Sequence, residues 1–261
     1  MFGLRVTIRP TAPLTFRRVP FSTLEMLTYP FVPPTTLSGY LDRLVRLSRN
    51  EELLETNNAN LKFYTLPRAY HVLGALAAPD PVRSQQVLTT IRQGIRLFDH
   101  TAASQLKHNK RSSSERSKES YQLYRWEYLF AELLIGYILH EQEDALKLLN
   151  WVQNYGCKLG KEGWAFVDKV EGPFPLEQQR VRKKPSCLVP AADAFGSSTK
   201  MYPLYRYAWH DTDSWEHEPG RGPAPIQGFV PFLAAVVDDM TEMDYYVGND
   251  AYIPVSMLEY F

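Results

Sequence analysis

The sequence predicts an α+β protein, because strand-like and helix-like patterns alternate along its first 170 residues. Residues 4–8 alternate apolar with polar or charged side chains, as a half-buried strand does. From about residue 35 to residue 50, apolar side chains recur at helical spacing. With 261 residues, the chain is long enough to bury a substantial core.

Further elements follow these two in order. Strand-like segments cover residues 61–76, 87–98, 123–139 and 164–167, and an amphipathic helix is predicted over 141–155, ended by Gly156. Strand, helix, strands, helix and strand is the order of a ferredoxin-like (RRM-like) domain, although many unrelated proteins share it.

We place a domain boundary near residue 170. Residues 1–170 form the predicted ferredoxin-like domain, with an insertion at about 99–122. Residues 171–261 are rich in proline and aromatic side chains, and predict an irregular β-rich extension packed on that domain. We expect short strands joined by long ordered loops in this extension.

Charge is balanced overall but unevenly distributed. Lys+Arg and Asp+Glu each count 29, so net charge predicts no affinity for nucleic acid. Residues 1–41 nevertheless carry four arginines against Glu25 alone, and no Lys or Arg follows Arg221. This polarisation suits an RNA-binding subunit of a larger assembly, and ordinary surface variation also produces it.

The sequence indicates a cytoplasmic protein. Cys157 and Cys187 have no metal-ligand spacing and are predicted to be free thiols in a reducing compartment. No apolar run has the length of a signal peptide or of a membrane span, so no membrane partner is expected.

The most informative stretch is residues 14–47, LTFRRVPFSTLEMLTYPFVPPTTLSGYLDRLVRL. A helix start after two prolines presents free backbone N–H groups, which suit an anion such as an RNA phosphate. Arg17 and Arg18 lie a short loop upstream, and guanidinium groups bind phosphate bidentately. The candidate phosphate-binding or close-approach residues at the helix start are Thr35, Thr36, Ser38 and Gly39. The hydroxyls equally suit helix capping, Gly39 equally suits a packed strand, and Tyr29 suits base stacking or packing.

This stretch resembles the N-terminus of the Cas-five family, RAMP-superfamily subunits that cap the 5′ handle of the crRNA in type I CRISPR Cascade complexes. The resemblance implies a ferredoxin-like domain with an inserted thumb hairpin, and a role in antiviral defence or RNA-guided DNA targeting without a cofactor. It implies as partners the crRNA, a Cas-seven-like backbone subunit and a large Cas-eight- or Cas-ten-like subunit, with target DNA contacted only indirectly.

The insertion at 99–122 is basic and rich in serine. By itself it is typical of a solvated loop or of an arm that orders on RNA, and the resemblance favours the thumb. Candidate RNA-binding residues in and beside it are Lys107, His108, Lys110, Arg111, Arg116, Lys118 and Arg125.

Two further segments are candidates for RNA contacts. Arg182, Lys183 and Lys184 form a basic patch that equally suits a solvated charge run. Residues 155–163, YGCKLGKEG, resemble the glycine-rich loop of this superfamily, and a helix end followed by a turn gives the same letters.

We predict no catalysis and no metal site. One subtype of the family cleaves precursor crRNA without metal, using a tyrosine, a lysine and a histidine. Tyr40, Lys107 and His108 supply these residue types, but the segment FVPPTTLSGYL looks more like the non-cleaving subtypes. A metal-independent endoribonuclease and a protein-binding scaffold without RNA remain the alternatives. An acidic and histidine-rich run at 210–218 favours a solvated loop over a metal site.

Overall fold

The computed structural model describes residues 1–18, 25–53, 64–78, 86–95, 121–194, 199–209 and 226–260. The protein belongs to the α+β class and is rich in β-structure. Its first elements are β1 (Phe2–Pro10), β2 (Glu25–Met26), α1 (Pro34–Ser48), β3 (His71–Ala77), β4 (Gln86–Ile95), β5 (Tyr121–Phe130) and β6 (Leu134–His140). They are followed by α2 (Glu143–Lys147), β7 (Gly156–Lys158) and β8 (Trp164–Pro175).

Among the described residues, the central sheet has five strands in the spatial order β3, β6, β1, β8, β7, and each neighbouring pair is antiparallel. The alternation that predicts β1 is confirmed: Leu4, Val6 and Ile8 are fully buried, whereas the residues between them are partly exposed. One face of β1 therefore carries the core, as expected for a strand with a period of two.

Helix α1 packs its apolar stripe into the same core. Leu37, Leu41, Leu44 and Val45 are fully buried, which confirms the predicted amphipathic helix to within about two residues at either end. Pro34 occupies the first helical turn, where its missing N–H costs nothing. The N-cap residue, Pro33, makes no side-chain cap hydrogen bond.

Strands β4 and β5 form a long antiparallel ladder from Gln86 opposite Phe130 to Ile95 opposite Tyr121. β2 joins the other edge of β5 in parallel. The base of this ladder is attached to the first segment of the chain, since Leu14 and Leu129 exchange backbone hydrogen bonds of 3.0 and 2.8 Å. Residues 96–120, which include most of the predicted insertion, lie outside the described residues.

The predicted helix over 141–155 is wrong in length. α2 ends at Lys147, and a 3₁₀ helix (Leu148–Val152) replaces its second half. The physical reason is the burial pattern: Leu146, Leu149 and Val152 are fully buried at every third position, which is the period of a 3₁₀ helix.

The predicted strand over 164–167 is too short. The apolar pattern fades after Val167, yet β8 continues to Pro175 because β1 pairs with most of it, from Phe2 opposite Pro175 to Pro10 opposite Ala165, with two register shifts. Pairing with a buried central strand therefore extends β8 through residues that have weak strand signals of their own.

The C-terminal region also has longer strands than predicted. It contains β9 (Glu177–Lys183), β10 (Val189–Pro190), β11 (Thr199–Trp209), β12 (Ile226–Val237), β13 (Thr241–Gly248) and β14 (Ala251–Pro254). They form sheets in the orders β10-β12-β11 and β14-β13-β9. Pro203 lies inside β11, which pairs only with β12 among the described strands, and proline is tolerated on such an edge.

The two parts of the chain share a hydrophobic core. Ala251, Ile253 and Met257 belong to the same buried cluster as Leu4 and Leu37. The domain boundary near residue 170 stays a prediction. In the described part of the chain, no helix is both long and apolar enough to cross a membrane.

Candidate nucleic-acid interface

A cleft of about 430 Å³ lies beside the sheet edge formed by β7. Its walls are residues 15–17, the N-terminal half of α1, Tyr64, and the loop from β7 to β8. Four cationic residues line the cleft: Arg17, Arg43, Lys158 and Lys161. No Asp or Glu is among its lining residues in the part of the chain that the structure describes. The composition of this cleft favours an anionic ligand.

Helix α1 presents one face to the cleft. Thr36, Tyr40 and Arg43 line it and are spaced three or four residues apart, so they lie on the same side of the helix. Gly39 also lines the cleft, and a Cβ built on it would meet the backbone oxygen of Tyr64 at 2.8 Å. The glycine therefore lets the segment beginning at Tyr64 pack closely against the helix.

The loop from β7 to β8 is held against the first segment of the chain. Gly160 has φ +76°, and a Cβ there would lie 2.6 Å from the backbone oxygen of Thr15. The N–H of Lys161 donates to that oxygen at 2.9 Å, and the N–H of Thr15 donates to the Glu162 carbonyl at 3.1 Å. This glycine-dependent contact places Lys158 and Lys161 at the mouth of the cleft.

The cations crowd one another. Burial lowers the pKa of Lys161 below its usual range, and the positive charge of Arg17 lowers it further. The Lys161 ammonium lies 5.2 Å from the ring centroid of Trp126, and both it and the Arg17 guanidinium approach the sulfur of Met26, at 4.0 and 3.3 Å. Arg17 and Lys161 therefore lie close enough for their positive charges to repel each other.

A carboxylate and a thiol lie near these cations. The Tyr128 hydroxyl donates to a carboxylate oxygen of Glu162 at 3.2 Å, and this carboxylate partly offsets the lowering of the Lys161 pKa. Burial raises the pKa of the Cys157 thiol to about 11, against the effect of Arg43. Arg43 itself lies over the Tyr64 ring at 4.6 Å. Both Cys157 and Cys187 are buried free cysteines.

The predicted RNA-binding residues that precede α1 lie in different environments, some in the cleft and some in packing contacts. Arg17 lines the cleft, whereas Arg18 lies over the Tyr202 ring at 5.2 Å. Tyr29 is only 3% exposed, stacks on Phe31 at 5.3 Å and donates its hydroxyl to the Pro203 carbonyl. Its burial raises its pKa to about 12. The Tyr29 ring is therefore engaged in packing.

The hydroxyl residues at the start of α1 have different environments. Ser38 is buried; its hydroxyl lies 3.1 Å from that of Thr65 and accepts the Leu66 N–H at 3.0 Å. The carbonyl of Thr35 accepts the Tyr207 hydroxyl at 3.0 Å. Of these three residues, Thr36 alone lines the cationic cleft.

Other predicted RNA-binding residues face carboxylates. Arg125 lies 3.8 Å from Glu127. In the C-terminal basic segment, which we define as residues 180–184, Arg182 is opposite Glu242 across the ladder of β9 and β13, and Lys184 lies 3.2 Å from Asp238. Lys183 lies over the ring of Tyr252 at 5.3 Å.

The predicted site residues of the insertion, Lys107, His108, Lys110, Arg111, Arg116 and Lys118, lie outside the described residues. The acidic and histidine-rich run at 210–218 does so too. Across the described ranges, no group of three or more His, Cys, Asp or Glu side chains could hold a metal ion.

Sequence reasoning did not single out Arg43, Lys158 or Lys161. A signal for Arg43 was present, because it follows Thr36 by two helical turns on a helix that was predicted. Lys158 and Lys161 lie inside the loop that was noticed for its glycines. The signal available in the sequence was the presence of two lysines between the glycines of this loop. Only the folded structure shows that they lie beside Arg17 in the cleft.

The fold and cleft together define an α+β protein with a cationic site at a sheet edge. No protein-family model matches the chain, and no curated protein does. Among solved structures, the chain is similar to a CRISPR protein from Archaeoglobus fulgidus, with 13% identity, a TM-score of 0.43, and coverage of 96% of this chain and 97% of that one.

A chain in the Type III-B Cmr-beta complex bound to cognate target RNA and AMPPnP is also similar, with 12% identity and a TM-score of 0.39 over 91% of this chain and 86% of that one. A chain in the same complex bound to cognate target RNA gives 13% identity and a TM-score of 0.37 over 89% and 84%. Because all three TM-scores lie below 0.5, we base the proposed function on the chain's own residues.

Proposed function

We propose that the protein is an RNA-binding subunit of a CRISPR ribonucleoprotein complex, and that its cationic cleft binds the phosphate backbone of the guide RNA. The observation that carries this proposal is the convergence of Arg17, Arg43, Lys158 and Lys161 on a cleft with no acidic lining residue among those described. Phosphate contacts from Arg and Lys provide most of the affinity of such interfaces.

More specifically, we propose a Cas-five-like subunit that caps the 5′ handle of the crRNA in a type I complex. This finer assignment rests on the resemblance of residues 14–47, and two of its features, Arg17 and the start of α1, adjoin the cleft. In this proposal the partners are a Cas-seven-like backbone subunit and a large subunit, and the complex acts in the cytoplasm.

The strand order supports a ferredoxin-like domain. β1, α1, β3, β6, α2 and β8 follow one another along the chain, and the four strands lie in the order β3, β6, β1, β8, all antiparallel. We further propose that the ladder of β4 and β5 is the base of the thumb. Trp126 of β5 contacts Lys161 at the cleft, so this ladder lies beside the proposed RNA path.

We propose that the subunit does not cleave RNA. Tyr40, the described member of the alternative catalytic set, donates its hydroxyl to the Ala165 carbonyl at 2.9 Å. Burial raises the pKa of that hydroxyl well above its ordinary value, which disfavours the ionised form that a general base requires.

The test is to express the chain with its genomic neighbours, purify the assembly and sequence the RNA that accompanies it. We expect short RNAs that share one 5′ end, and precursor RNA that stays intact on incubation with the assembly. The variant Arg17→Ala/Lys158→Ala/Lys161→Ala should lose most of this RNA, because three phosphate contacts disappear together.

The matched control is Arg182→Ala/Lys183→Ala/Lys184→Ala, which removes the same charge from the C-terminal basic segment and should retain the RNA. If the control loses RNA and the cleft variant keeps it, the site is wrongly placed. If the unmodified assembly carries no RNA at moderate salt, the proposal fails and the protein-binding scaffold becomes the better explanation. Cleavage of precursor RNA would favour the endoribonuclease.

A further inference from the structure

Strand β8, which neighbours the edge strand β7 of the central sheet, carries an exposed tryptophan. Trp164 is the first residue of β8 and is 57% exposed, although a tryptophan is among the most costly side chains to leave in water. The next residue, Ala165, is buried, and Val167 is fully buried. By alternation, the Trp164 ring therefore lies on the face of β8 opposite to the core-facing residues.

Trp164 is directly opposite Lys158 in the ladder of β7 and β8. Side chains of directly opposed residues share one face of a sheet, with Cα atoms about 5 Å apart. Lys158 also lines the cationic cleft. The cleft and the exposed ring are thus connected through a single lysine.

The backbone that carries the ring is firmly held. The backbone N–H and the hydroxyl of Thr11 both donate to the Trp164 carbonyl, at 2.8 and 3.1 Å. The preceding residue, Gly163, has φ +117°, and a Cβ there would lie 2.6 Å from the Pro13 carbonyl oxygen. An exposed aromatic ring on a fixed backbone loses little further entropy when a ligand covers it.

The same face continues into the sheet. Phe166, two residues further along β8, lies between Gly156 on one side and Arg9 on the other. The Arg9 guanidinium lies 3.4 Å from the Asp168 carboxylate and 4.0 Å from that of Glu132, so its charge is partly compensated. On this face of the sheet, the cation farther from the cleft is therefore paired with carboxylates, and the exposed aromatic ring lies nearest to Lys158.

We infer that Trp164 is a stacking platform for a base of single-stranded RNA whose adjacent phosphate is bound by Lys158 at the cleft. This inference rests on the proposed RNA-binding function and adds a base-contacting residue to it. A flat aromatic ring next to a phosphate-binding cation is the combination by which proteins bind single strands with little sequence preference.

The test is fluorescence anisotropy of the purified full-length chain with a labelled ten-nucleotide oligoadenylate, over a series of salt concentrations. Trp164→Ala should weaken binding about 10-fold or more, the usual effect of losing one stacked base. The slope of log affinity against log salt should stay unchanged, because no phosphate contact is removed. Trp164→Phe should restore most of the affinity.

Trp151→Ala is the matched control, since Trp151 is 61% exposed but belongs to the 3₁₀ helix that follows α2, outside the ladder of β7 and β8. It should bind like the unmodified chain. A second probe carries abasic sugars in place of the bases. The unmodified chain should prefer the oligoadenylate over this probe, and Trp164→Ala should lose that preference.

The outcomes separate the two proposals. If the unmodified chain does not bind oligoadenylate, the proposed function fails together with this inference. If binding requires the cleft lysines but Trp164→Ala binds normally, or loses affinity equally for both probes, only the stacking platform is overturned. An equal loss for both probes would mean that Trp164 serves by positioning Lys158.

Discussion

The cleft and the C-terminal basic segment both carry several Lys and Arg side chains, but the two regions differ in which groups lie next to these cations. In the ladder of β9 and β13, Arg180 is opposite Asp244 and Arg182 is opposite Glu242, so the acidic C-terminal strand compensates the basic one. In the cleft, Arg17 and Lys161 approach the same methionine sulfur, and Arg17 lowers the pKa of Lys161.

The charge density of a segment therefore does not identify a binding surface. The polarity of the sequence, basic early and acidic late, is cancelled where the acidic strand pairs with the basic one. It survives at the cleft, where separate segments contribute one or two cations each. Strand register therefore decides which basic residues face carboxylates across a ladder.

The largest effect should come from breaking the backbone contact that assembles the cleft. Gly160→Ala places a Cβ 2.6 Å from the Thr15 carbonyl oxygen at φ +76°. We expect a loss of about 2–4 kcal/mol in the free energy of unfolding, from the left-handed backbone and the clash together, measured by chemical denaturation.

Gly228→Ala is the control for that prediction, because Gly228 also has a positive φ, +143°, but nothing lies within 4 Å of a Cβ built there. It should cost about 1–2 kcal/mol, the conformational part alone. Equal losses for the two variants would show that the close approach of the loop to Thr15 contributes nothing to stability.

A smaller effect should be a pH dependence of RNA affinity that arises from Lys161 in the cleft. The folded-state pKa of Lys161 lies below its unfolded value, mainly through burial and then through Arg17. As pH rises through that lowered pKa, Lys161 loses its proton and the affinity for a 2′-O-methyl oligonucleotide should fall. Lys161→Arg keeps its charge and should show a weaker decline over the same pH range.

The free energy of unfolding should change with pH in the opposite direction to RNA affinity, which provides a second check. Between the lowered pKa and the unfolded value, the unfolded chain binds more protons at this residue, so its contribution to stability rises with pH while RNA affinity falls. If the unmodified chain and Lys161→Arg lose affinity for the oligonucleotide in parallel as the pH rises, Lys161 does not contact the phosphates.

Much of the central sheet could be predicted from local patterns. The alternation in β1 and the apolar stripe of α1 are periodic, and both elements were placed correctly. α2 and β8 were misjudged because their extents depend on partners: the 3₁₀ turn follows from burial at every third residue, and β8 is extended by β1. Pro203 weakens the local strand signal of β11, yet β11 includes it because β11 is an edge strand of its sheet and an edge strand accepts proline.

The candidate site was predictable only in pieces. Arg17, Thr36 and Gly39 were found from the chemistry of a helix start, and the glycine-rich loop was noticed separately. Nothing in the sequence shows that these two segments meet, because their contact depends on the bridge between Thr15 and Glu162. Such long-range pairing is set by the whole sheet, not by any local pattern.

The smallest effect should come from the compensated region. Arg180 and Glu242 form an exposed ion pair at 3.4 Å, with side chains 67% and 63% exposed. A double-mutant cycle with Arg180→Ala and Glu242→Ala should give a coupling of about 0.2–1 kcal/mol, because solvent screens such pairs. RNA affinity should be unchanged in Arg180→Ala, since Glu242 and Asp244 already offset its field. If Arg180→Ala weakens RNA binding while Glu242→Ala strengthens it, the C-terminal segment contacts RNA as well, and pairing across a ladder does not disqualify a basic strand from binding phosphate.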